Sequence, residues 1–162
     1  MQRSVLLHRL SRGRVLGTKF VAALLVSVLF GLVAAALAWL TPPIALSLFG
    51  LDTAGAGVDP EIVAGVLGVN ILAGVWGFAL GVLLRNPVVA IGLLAVQTLL
   101  LGACGAKAVP EVGTYLLTSV LGSLYKDPSP LSMAVLPALG IALAWVGVAT
   151  VGAVGTFRTR DV

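Results

Sequence analysis

The chain has 162 residues, of which 59% are hydrophobic and 10% charged, and its mean hydropathy is +1.13. Soluble domains carry about 25% charged residues, and a fold of this size has no interior that could hide so much apolar surface, so lipid is its solvent and no separate soluble domain is expected. The formal charge of +4 is read as membrane topology and not as a nucleic-acid footprint, because no long basic face lies away from the membrane ends.

The chain opens on a basic segment, residues 1–19, carrying Arg3, Arg9, Arg12, Arg14 and Lys19. At 100° per residue Leu6, Leu7 and Leu10 share one face, and His8, Arg9 and Arg12 share the other, while Arg3 and Arg14 break the pattern by falling on the apolar side. Either a short helix at the membrane surface or a plain basic flank accounts for this pattern. The uncharged stretch that follows is longer than the roughly 7–15 residues of a signal-peptide core, so an uncleaved membrane helix is expected.

Phe20 to Leu40 is the first expected span, stopped by Thr41-Pro42-Pro43. An external loop, 41–61, follows. Asp59 is the expected N-cap of the second span, 62–84, with Pro60 at its first position and Glu61 near the positive end of the helix dipole. A tight turn through Arg85 leads into the third span, 87–106, with Asn86 as its N-cap and Pro87 at its first position. A second external loop, 107–130, contains the uncharged segment 112–125, too short to cross and therefore re-entrant or interfacial. The last span is 131–157.

The expectation is a single all-α membrane domain: a polytopic bundle of four transmembrane helices plus a short external re-entrant or interfacial helix. Four spans put both termini on one side. Eight of the ten basic residues fall on that side, and only Lys107 and Lys126 fall on the other. The positive-inside rule then predicts cytoplasmic termini in a cell inner (plasma) membrane protein.

Gly74, Gly77 and Gly81 share a stripe of the second span and are candidates for close helix packing. Asn70 and Gln97, within the hairpin, are candidates for polar contacts inside the membrane, with packing glue favoured over a substrate path. No Asp, Glu, Lys or Arg falls in an expected span, which argues against a proton- or ion-coupled carrier. The sequence has no phosphate-binding loop and no catalytic pair, so the chain is not expected to be an enzyme or to hold a cofactor. Cys104 is the single cysteine and His8 the single histidine, so no metal site is expected.

Three stretches, in order, resemble the ABC-2-type transporter permeases: RLSRGRVLGTKFVAA at 9–23, GVWGFALGVLLRNPVVA at 74–90 and FRTRDV at 157–162. They are similar to that family's lead-in to the third span, its hairpin of the fourth and fifth, and its C-terminus. The resemblance covers the last four of the usual six spans. It leaves open whether the first two come from a partner chain, from a start set further upstream, or are lost by truncation. It implies the membrane subunit of an ATP-driven exporter, forming a homodimer or heterodimer with another permease chain. It also implies a separate cytosolic ATPase subunit, contacted through Leu6, Arg9, Leu10 and Arg12. The rival expectation is a non-transporting membrane scaffold or assembly subunit.

Overall fold

The computed structural model describes residues 2–52, 57–84, 86–99 and 110–159. Among them there are only helices and connections: α1 (Gln2–Leu48), α2 (Pro60–Leu84), α3 (Pro87–Val96), α4 (Pro110–Gly113), α5 (Leu117–Leu124) and α6 (Val135–Thr159). Three stretches are long and apolar enough to cross a membrane: Arg14–Leu48, Pro60–Leu84 and Val135–Thr156. Only 17%, 17% and 22% of their most apolar parts are buried within the chain, so the remaining surface needs an apolar surrounding. α3 continues as a π turn over 97–99, and the rest of the expected third span, with Cys104, lies outside the described residues.

The local start signals work as the sequence implies. Asn86 Oδ1 accepts from Val88 N at 2.9 Å, and Pro87 takes the first position of α3. Asp59 Oδ1 accepts from Glu61 N at 3.0 Å at the start of α2. The expected stop at Pro42-Pro43 does not occur, because α1 runs through both prolines to Leu48. Proline removes one amide and crowds one carbonyl per residue. Ending the helix within an apolar run would instead strip several backbone groups of their partners. The separate surface helix weighed for the N-terminal segment is likewise absent: residues 2–19 are the first turns of α1.

α2 is the hub. Phe20 of α1 meets Phe78 of α2 edge-on, with ring centroids 5.6 Å apart. Ser27 lies against Gly74, and Gly31 against Leu67 and Asn70. Rising numbers on α1 meet falling numbers on α2, so the two are antiparallel. α6 runs parallel to α2: Trp145 meets Trp76 at 5.7 Å, and Leu83 lies beside Gly152. α3 returns antiparallel, with Ala90 in the buried cluster that holds Trp76, Ala79 and Leu80. α6 presents Ala138, Ala142, Val146, Ala149 and Ala153 as one buried stripe, where small side chains let the backbones approach.

These directions gather the starts of α1 and α3 and the ends of α2 and α6 at one end of the bundle. The opposite end holds the end of α1, the starts of α2 and α6, and Lys126. Arg85 and Lys107 lie outside the described residues.

Candidate functional site

Two regions bring polar chemistry to the bundle. The first is the start of α1. Leu6, Arg9, Leu10 and Arg12 lie on its opening turns, and their side chains are outside the described residues. The α1–α2 register ends near residue 16 of α1, so about 14 residues, or about 20 Å of helix, continue past the end of α2. The basic segment is therefore one rod with the apolar stretch behind it.

The second region is formed by α5, which the sequence shows only as a short uncharged segment. α5 packs antiparallel to α2. Its Leu124 carbonyl lies against Gly65, so close that a Cβ there would collide with the Leu124 and Tyr125 backbone. At its other end Leu117 joins the cluster around Trp76. Val120 and Leu124 bury against Ala138 and Ala142 of α6. Ser123 is 1% exposed and satisfied on both sides: its hydroxyl donates to Ser119 O at 2.9 Å and accepts from Met133 N at 3.0 Å. That pair ties α5 to the entry of α6.

α5 ends with the Lys126 amide reaching Ser123 O at 3.3 Å and the Asp127 amide reaching Gly122 O at 3.1 Å. This is a Schellman arrangement, which places its first post-helical residue in the left-handed region favoured by glycine. Here that residue is Lys126, with φ 58°. Its ammonium is 2.7 Å from Asp59 Oδ2 and 2.6 Å from Glu61 Oε2. One lysine thus fastens the end of α5 to the start of α2. The Lys126 hydrogen bond, and then the Glu61 amide, hold Asp59 below the ordinary carboxylate value of 3.8. The two acids, with Asp59 first, raise Lys126 from 10.5 to about 12.

The linkage signs follow. The Asp59 contribution is present above 3.8 and is lost as pH falls through its lowered value. The Lys126 contribution is present below 10.5 and is lost as pH rises through about 12. Thermal stability is therefore expected to show no titration of this clamp near neutral pH, and to fall with added salt because the groups are solvent-exposed. Lys126→Gly relieves the backbone and Lys126→Met does not. A melting temperature for Lys126→Gly at or below that of Lys126→Met would contradict this account.

The other expected site residues are distributed differently from the sequence reading. Gly74 is a close-packing position, because a Cβ there would collide with Ser27. Within the chain Gly77 and Gly81 are not: a Cβ on Gly77 would lie 3.9 Å from Leu94, and one on Gly81 would meet nothing within 4 Å. The stripe diverges from its neighbours along α2. Asn70 donates to Val66 O at 2.8 Å within its own helix, while its Cβ packs near Gly31 of α1. Gln97 sits in the π turn that continues α3. Among the described residues no group of His, Cys, Asp and Glu could hold a metal ion. Nothing in the sequence marks Gly65, Ser123 or Lys126 as site residues; the helix-start signature at Asp59 is the only hint of the clamp, and it names no partner.

Comparison with known proteins returns no match among family models, curated proteins or solved structures.

Proposed function

We propose that the chain is the membrane-spanning permease subunit of an ATP-driven exporter of the ABC-2 type. A separate cytosolic ATPase would drive it. The observation that carries this reading is the unbroken helix α1, Gln2–Leu48. A contact made on its first turns moves the apolar rod directly, with no loop to absorb the displacement. The three-part sequence resemblance supports the same assignment. In this reading the chain has four spans, α3 and its continuation being the third. α5 is the re-entrant element, the membrane is the inner (plasma) membrane, and the chain pairs with itself or with another permease chain.

The ATPase contact combines the apolar anchors Leu6 and Leu10 with charge pairs from Arg9 and Arg12. Apolar truncations at an interface centre cost about 2 kcal/mol or more, and exposed charge contacts about 0–1 kcal/mol. Leu6→Ala with Leu10→Ala is therefore expected to reduce copurification of the ATPase subunit more than Arg9→Ala with Arg12→Ala, with insertion intact in both. Undiminished copurification after deletion of residues 2–12 would remove this segment from the mechanism. Absence of any ATPase partner from the purified wild-type complex would favour a scaffold.

The orientation has its own test. The basic asymmetry puts Thr18 and Asn86 in the cytoplasm and Ser132 outside. All three are exposed, whereas Ser123, in the same external region, is buried and unsuitable as a probe. In a Cys104→Ser background, a membrane-impermeant thiol reagent on intact cells is expected to label Ser132→Cys and to spare Thr18→Cys and Asn86→Cys. The opposite pattern would invert the topology.

A further inference from the structure

α5 is a half-length helix whose C-terminus is at the rim and whose N-terminus is deep in the bundle. Lys126, just past its end, pairs with Asp59 and Glu61, while Leu117, its first residue, clusters with Trp76. Trp76 is 16 residues into α2 from Pro60 and 8 from Leu84, which places it about 24 Å and about 12 Å from the two ends. The first turn of a helix leaves its amides without intrahelical acceptors and carries a partial positive charge. Leu116, at the N-cap position, supplies no side-chain bond to them.

Two further donors at this point have no partner. Thr118 Oγ1, in that first turn, and Trp76 Nε1 are both buried and unbonded. Trp76 is 8% exposed. Its ring meets Trp145 edge-on, and Trp145 donates its own Nε1 to Tyr115 O at 3.1 Å, immediately before α5. The contacts Trp76–Trp145–Tyr115 thus reach the segment that leads into α5. A native fold rarely leaves buried donors unmatched, and each unmatched group costs as much as a lost hydrogen bond.

The donors are neutral, and the stretches that hold and face them, Pro60–Leu84, Leu117–Leu124 and Val135–Thr156, carry no Lys or Arg. A fully charged ligand would be desolvated here without a counter-charge, so the fitting acceptor is an uncharged oxygen. The approach runs past Tyr115 and Val112, which precede α5 and are 60% exposed. We propose that the inner end of α5, with Thr118, Trp76 and the first-turn amides, binds the ester carbonyl of an uncharged amphiphile entering from the bilayer. Its acyl chain lies along the exposed apolar surface beside Trp145. This site is independent of the ATPase reading and is tested without an ATPase.

The test uses the full chain carrying Trp39→Phe, purified in detergent, so that Trp76 and Trp145 report. The probe is a monoacylglycerol with a brominated acyl chain, and the control is its ether-linked counterpart, which lacks the carbonyl. Loss of one hydrogen bond is expected to weaken binding about five-fold. The ester should quench saturably and the ether should bind about five-fold more weakly. Thr118→Val should weaken the ester about five-fold and leave the ether unchanged, while Thr118→Ser keeps the wild-type value. If Thr118→Val does not fold, Trp76→Phe with Trp145 as the reporter makes the same comparison. Quenching that never saturates, or equal affinity for ester and ether in every variant, would overturn the proposal and leave these donors to water.

Discussion

Gly65→Val is expected to separate α5 from α2 and to lower the stability of the purified protein by about 3 kcal/mol, at the upper end of what overpacking costs. Even a Cβ at this position would collide with the Leu124 carbonyl and crowd the Tyr125 backbone. Backbone atoms inside a helix end cannot rotate away as a flexible side chain can, so α5 has to move as a unit. That motion strains the Ser123 bond to Met133 N and the Lys126 pairs with Asp59 and Glu61. The control is Gly81→Ala, which meets nothing within 4 Å. It is expected to be neutral or to stabilise by about 0.5–1 kcal/mol, because alanine loses less backbone entropy in a helix. Thermal unfolding in detergent reads both. Equal melting temperatures for Gly65→Val and wild type would mean that α5 does not pack on α2 as described.

Gly74→Ala is expected to cost about 1–3 kcal/mol, and Ser27→Gly in the same chain to restore most of it. A Cβ at Gly74 collides with both Oγ and Cβ of Ser27. Rotating the hydroxyl relieves only the first contact, and it breaks the 2.8 Å bond from Ser27 Oγ to Ala23 O. Removing the Ser27 side chain clears the space and returns the volume to the opposite helix. The double variant keeps the total number of side-chain atoms nearly constant, so recovery isolates contact from composition. The coupling energy is read as a double-mutant cycle of unfolding midpoints. Additive effects would place α1 elsewhere on α2.

The two predictions rest on glycines that look alike in the sequence. Gly65, Gly74, Gly77 and Gly81 all lie in one apolar run, and spacing alone favours Gly77 and Gly81 as a small-xxx-small pair. Which of them touches a neighbour depends on where α1, α3 and α5 cross α2, and that is set by packing between segments distant in sequence.

What the sequence by itself determined was everything governed by nearest neighbours and by solvent. Composition alone called for a lipid surrounding. The caps at Asp59 and Asn86, and the prolines after them, start α2 and α3 where a short-range rule says they should, because an N-cap needs only its own next two or three amides. The Pro42-Pro43 stop failed because the local penalty of proline was outweighed by a medium that penalises every unpaired backbone group. Only the tertiary structure decided that α2 is the hub, that α5 points its first turn into the bundle, and that Lys126 reaches Asp59 and Glu61 across more than sixty residues. Such contacts follow from the mutual orientation of helices, which apolar residues exposed on nearly every face leave open until close packing selects one arrangement.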